Sequence, residues 1–220
     1  MKAFSGYDEV RTQEYGEKRE RLNLGGHICK ILDVKIEQYN TKEGKTFEVL
    51  IMRIDIEAPD EQAGFYQRRF ESDAKADALN AKWKGNYRLT IPEDNSEDFV
   101  KTRFKTFITS IEKSNPGYKW NWEENTLVGK VFGGVYGLKQ IELTQGANVG
   151  MVVDFPELRF VRSTENVMNI EIPNVKLLNG EYISYDEYME QKETDNAKIE
   201  NEGKEQELNV VEDNNDDLPF

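Results

Sequence analysis

The sequence predicts a mainly β protein: a small β-barrel with one inserted helix, followed by a disordered acidic C-terminal tail. Three observations lead there. Short runs rich in β-branched residues, several with apolar side chains at every second position, recur between residues 25 and 163. One strong stretch of helical period, 95–117, interrupts them. Beyond about residue 185 apolar residues thin out while Glu, Asp, Asn, Lys and Gln dominate, a composition that cannot bury enough surface to offset its chain entropy.

Taken in order, "GGHICKILDVKIEQYN" (25–40) sets Ile28, Lys30, Leu32, Val34 and Ile36 against Cys29, Ile31, Asp33 and Lys35, which reads as a long strand. "TKEGK" (41–45) is a turn, with Gly44 suited to positive φ. "TFEVLIMRIDIEA" (46–58) is a second strand and completes a hairpin. "GFYQRRFES" (64–72) reads as a third strand, after which Ser72 caps a short Ala-rich helix at 73–82. "NYRLTIP" (86–92) returns to strand.

"NSEDFVKTRFKTFITSIEKSNPG" (95–117) is the clearest helix. Asn95 or Ser96 supplies the cap, and Glu97 and Asp98 suit the positive end of the helix dipole. Val100, Phe104, Phe107, Ile108 and Ile111 form one apolar face, Phe99 is assigned to the core with Phe104 and Phe107, and Asn115-Pro116-Gly117 stops the helix. "YKWNW" (118–122), "LVGKVFGGVYGLK" (127–139) and "GMVVDFPELRFVRS" (150–163) are further β-type runs. Five to seven mostly sequential strands with one helix among them suit a small closed or partly open barrel such as the OB-fold. A sandwich with a helix on one side meets the same count.

Charge divides the chain. The whole carries -13 at pH 7 and a mean hydropathy of -0.76, which argues against a nucleic-acid binder, because phosphate contacts need cations. From residue 186 to the end, however, stand 13 acidic and three basic residues, so the body before it is nearly neutral. One cysteine, Cys29, makes no internal disulfide and fits a reducing cytosol. No run of 18 apolar residues is present, and "MKAFSGYDEV" lacks the apolar middle of a secretory signal, so a cytoplasmic protein is expected.

Catalytic signatures are absent. His27 and Cys29 are two potential ligands where a structural zinc wants four, and His27 reads as an ordinary solvated strand histidine. "LVGKVFGG" has the wrong frame for a phosphate loop, and no nucleophile–base pair is available. No cofactor and no enzymatic activity are expected.

The aromatic residues carry more. Thirteen lie between Phe65 and Tyr136, all three tryptophans among them, interleaved with Lys and Arg. Ring faces that accept unstacked bases, flanked by cations that follow the phosphates, are the two parts of a single-strand groove. The candidate residues are Arg68, Arg69 and Phe70 in "FYQRRF"; Trp83, Lys84, Tyr87 and Arg88 in "KWKGNYR"; Trp120 and Trp122 in "YKWNW"; and Lys130 and Tyr136. On a strand, Tyr118, Trp120 and Trp122 would share one face. For any single ring, packing in the core is the competing reading.

The chain ends "DNNDDLPF", an acidic leash with an apolar hook. A solvating acidic end accounts for the Asp and Asn residues but not for Leu-Pro-Phe. Asp216, Asp217, Leu218, Pro219 and Phe220 closely resemble the C-terminal tip of bacterial and phage single-stranded DNA-binding proteins. "MKAFSGYDEV" and "KWKGNYRLTIP" are similar to a phage- or prophage-encoded group that often carries such an end. The resemblance implies a tip that docks on replication, recombination and repair proteins. Phe220 would fill an apolar pocket while its carboxylate and those of Asp216 and Asp217 meet Arg or Lys.

The expected organisation is therefore an N-terminal arm (1–19), an OB-like domain that binds single-stranded DNA without sequence preference (20–183), and a disordered acidic tail with a partner-binding tip (184–220). A homo-oligomer is compatible with it. The rival from another class is an acidic DNA mimic that inhibits a nucleic-acid-binding protein, and the enzyme rival is a nuclease.

Overall fold

The computed structural model describes residues 20–40, 44–144 and 148–194. The arm expected at 1–19, part of the 41–45 turn, and 195–220, with Asp216, Asp217, Leu218, Pro219 and Phe220, lie outside the described residues. Those described are mainly β, with seven strands in a mixed sheet. The strands are β1 (Gly25–Asn40), β2 (Thr46–Ile56), β3 (Asn86–Thr90), β4 (Val131–Glu142), β5 (Val152–Arg162), β6 (Val175–Lys176) and β7 (Tyr182–Ile183). The helices are α1 (Phe65–Ala76), α2 (Asp98–Ser114) and α3 (185–194). Among the described residues, no helix is long and apolar enough to cross a membrane.

The chain divides into two units, one holding the described parts of 1–138 and 156–173, the other those of 139–155 and 174–220. In the first, strands run in the order β3-β2-β1-β4, all antiparallel, and β5 pairs with β4. β1 is the hub. Its first part pairs with β4, from Gly25↔Tyr136 to Lys30↔Val131, and its longer second part pairs with β2, from Cys29↔Ile56 to Asn40↔Thr46. A bulge between Ile31 and Asp33 lets one strand serve both neighbours. It also switches the inward face: Cys29 and Ile31 are buried before it and Val34 after it, so Leu32, at the bulge, is left at the surface. No pairing of β3 with β5 is found among the described strands, and the sheet is open there.

The core lies against one face of this sheet, where Leu50, Met52, Ile54, Tyr87, Leu89 and Phe132 meet Phe104, Phe107, Ile108 and Ile111 of α2. That helix begins as its apolar period requires, with two corrections. Its N-cap is Glu97, without a side-chain capping bond, because the Ser96 hydroxyl instead accepts the N–H of Glu93 at 2.8 Å. Phe99 points outward and is 66% exposed.

The third expected strand is a helix. Residues 65–76 form α1, and Ser72 lies inside it rather than capping a helix at 73–82. The start is stabilised from a distance: the buried carboxylate of Asp55 on β2 accepts the N–H groups of Tyr66 at 2.8 Å and Gln67 at 3.1 Å. Close backbone approach explains Gly26, where a Cβ would stand 1.7 Å from the Val167 carbonyl oxygen. His27 is buried rather than solvated. Its Nδ1 faces the Asp60 carboxylate at 2.9 Å and its Nε2 the Asn23 carbonyl at 2.9 Å.

In the second unit, β4 pairs in parallel with β6 at Lys139↔Lys176, and β6 with β7 through a turn at Gly180 (φ 89°). The tail expected from 184 opens instead as α3. Tyr188 is the apolar anchor of this helix: it is buried, donates to Asp154 at 2.5 Å and accepts from Gln140 at 3.0 Å, while Lys192 pairs with the same Asp154.

Candidate nucleic-acid interface

The face of β1–β2–β3 turned away from the core collects rings and cations. The period of two decides its membership. On β2, Leu50, Met52 and Ile54 point inward, so Phe47, Val49, Ile51 and Arg53 take the other side. Register then brings Lys35 and Tyr39 of β1 and Arg88 of β3 to the same side, through Lys35↔Ile51, Tyr39↔Phe47 and Ile51↔Arg88. The rings of Tyr39 and Phe47 stack at 6.0 Å with 24° between planes, and the Arg88 guanidinium lies 5.8 Å from the Tyr39 ring. The face is not purely cationic. Glu37 accepts the Tyr39 hydroxyl at 2.7 Å and pairs with Lys35, and these bonds hold its carboxyl below the usual range.

Trp83 borders this face. Its Nε1 donates to the carbonyls of Gly85 at 2.9 Å and Ile54 at 3.2 Å, which pins the indole along β2. A Cβ on Gly85 would fall 2.3 Å from the Ile54 oxygen, so only glycine lets the segment lie this close. The Arg53 guanidinium sits 4.7 Å from the Trp83 ring centroid, and the Phe70 ring lies 5.9 Å away. Lys84 is exposed beside it.

A second aromatic group forms where α2 ends. Residues 118–122 are not a strand, since Trp122 adopts φ 67°, so the alternation expected of "YKWNW" does not arise. Trp120 and Trp122 nevertheless meet, with centroids 6.2 Å apart. Trp122 is 75% exposed and lies nearly parallel to Phe104 at 6.3 Å and 13°. Trp120 is half-buried against the core, and its backbone N–H donates to the Glu112 carboxylate at 3.1 Å. Lys130 stands over the Tyr118 ring at 4.7 Å.

Of the residues singled out in the sequence, Trp83 and Arg88 belong to the first group, with Phe70 and Lys84 beside Trp83, while Trp120, Trp122 and Lys130 belong to the second. Arg68 is exposed on α1 but engaged by Glu20 at 2.7 Å, and Arg69 is half-buried on the same helix. Tyr87 and Tyr136 are corrected. They are 5% and 1% exposed, Tyr87 packed on Phe107 and Phe132 and Tyr136 beside His27, so no base can reach either ring. Lys35, Tyr39, Phe47 and Arg53 were missed, because only the cross-strand register shows that they are neighbours. The described residues hold no cluster of His, Cys, Asp and Glu able to bind a metal.

Behind the sheet lies an inert polar centre. The Tyr66 hydroxyl donates to that of Tyr136 at 3.4 Å, and Tyr136 lies 3.9 Å from the Cys29 thiol. Burial pushes the Cys29 thiol and the Tyr66 phenol each up to about 12, so neither offers a nucleophile near neutrality. No protein-family model and no curated protein sequence matches the chain.

Proposed function

We propose that the protein binds single-stranded DNA without sequence preference and without enzymatic activity, through the ring-and-cation face of β1–β2–β3. The carrying observation is that two stacking surfaces, Tyr39–Phe47 and Trp83, stand at different positions along β2, each with a guanidinium against it, Arg88 and Arg53. A ring offers its π-face to any base, and a guanidinium beside it can follow the phosphate. We read the first unit as OB-like: β1 is shared between β2 and β4 and a helix stands between β3 and β4, which supports the reading because the strand 2–3 face of that fold takes oligonucleotides.

In this reading the Asp216–Asp217–Leu218–Pro219–Phe220 tip recruits replication, recombination and repair proteins in the cytoplasm of a bacterial host, where a phage or prophage encodes the protein. Pro219 limits the conformations lost on docking, and a long leash raises the local concentration of whatever docks.

The test is a salt-titrated fluorescence titration with oligo-dT, on the intact chain and on one lacking Leu218–Pro219–Phe220. Saturable tryptophan quenching that weakens with salt, kept by the truncated chain while partner pull-down is lost, supports the reading. No quenching in dilute buffer overturns it and favours the acidic mimic.

A further inference from the structure

On another side of the first unit, α2 and the end of β5 border an open cleft of about 520 Å³. Its walls are cationic and hydroxylic: Lys105, Thr106, Thr109 and Lys113 from α2, Arg162 and Ser163 from the end of β5. No carboxylate and no aromatic ring lines it, and Val161 is its one aliphatic side chain. Because the body before residue 186 is nearly neutral, three cations gathered here without a carboxylate leave a locally positive patch. Lys105, Lys113 and Arg162 have no carboxylate partner among the described residues.

The walls are held in place. The Ser114 hydroxyl donates to the Ser110 carbonyl at 2.7 Å and accepts the N–H of Thr164 at 3.0 Å, which ties the chain leaving β5 to the last turn of α2. The backbone positions from which the cations project are therefore fixed relative to one another. Along the helix, Lys105 and Lys113 stand about 12 Å apart at the α-helical rise. That is a stripe, suited to an extended anion rather than to one compact ion.

We infer that this cleft carries the phosphodiester backbone of a bound strand beyond the aromatic face, with Lys105, Lys113 and Arg162 on phosphates and the Thr and Ser hydroxyls donating to their oxygens. The inference rests on the single-stranded DNA reading. The lack of rings means that bases are not stacked here, so the segment would be held through its phosphates alone. The other anion within reach of the argument is the chain's own acidic tip. The cleft fits it poorly, because Leu218 and Phe220 need an apolar pocket and Val161 is the single aliphatic wall.

The experiment uses the full chain and the triple variant Lys105→Gln/Lys113→Gln/Arg162→Gln, with the fold checked by circular dichroism. The slope of log K against log salt is read with oligo-dT of about 30 nucleotides, long enough to pass one OB-fold site. The variant is expected to lose about 2 from that slope, three contacts at about 0.7 each, while quenching at saturation stays the same. A wild-type slope that the variant retains overturns the cleft assignment and leaves the aromatic face standing. Absence of any wild-type binding overturns both readings. A synthetic 209–220 peptide that binds the wild type but not the variant, with the DNA slope retained, gives the cleft to the acidic tip and overturns the phosphodiester assignment.

Discussion

The Arg53 guanidinium lies 4.7 Å from the centre of the Trp83 ring, so β2 supplies the cation and the segment before β3 supplies the π-face. Because Trp83 is pinned through its N–H to two backbone carbonyls, the ring is oriented before any ligand arrives.

The two residues are expected to fail differently. Trp83→Ala removes one stacking surface and should weaken oligo-dT binding by about 1–3 kcal/mol, roughly 5- to 150-fold, with the salt slope unchanged. Arg53→Gln should lower the slope by about 0.7, one phosphate contact, with a smaller loss of affinity at high salt. Titrations at several salt concentrations separate them; identical slopes for both variants would remove Arg53 from the phosphate path.

Asp55 is expected to govern the stability of α1. Asp55→Ala removes the acceptor of two part-buried N–H groups at the helix start, those of Tyr66 and Gln67, and should cost about 0.5–2 kcal/mol. Asp55→Asn keeps one acceptor oxygen and should fall between. Urea midpoints measure this, and an alanine variant as stable as the wild type would show that the carboxylate does not hold the helix.

Alkaline pH is expected to destabilise the fold through two acids, the fully buried Cys29 and the partly buried Tyr66. Cys29 rises from 9.0 to about 12 and Tyr66 from 10.0 to about 12 because burial disfavours their anions. The folded state therefore keeps protons that the unfolded chain releases. The stability this represents is complete below pH 9.0 and is lost as pH climbs towards about 12. Thermal melts across that window should show a falling midpoint, with the onset moved upward in Cys29→Ala. A midpoint flat to pH 11 or so would contradict the burial of both groups.

Local pattern made much of the fold legible. β1, β2, β3 and α2 were readable because their periods of two and 3.6 run over many residues, and Phe104, Phe107, Ile108 and Ile111 had to share one side of a helix. α1 was not, since "FYQRRFES" carries no helix-start residue of its own and its stabilising carboxylate stands ten residues earlier, on a strand. "YKWNW" failed as a strand because Trp122 turns left-handed, which alternation cannot reveal.

The candidate site divides the same way. Composition and spacing placed rings among cations between Phe65 and Tyr136, and chemistry pointed from there to unstacked bases. Which rings face water was settled by folding: a bulge in β1 switches its inward side, register sets Tyr39 opposite Phe47, and Tyr87 and Tyr136 disappear into the core while Trp83 and Trp122 do not. The reason is range. Side-chain period is a property of neighbours along the chain, whereas burial depends on what strands and helices distant in sequence bring against each face.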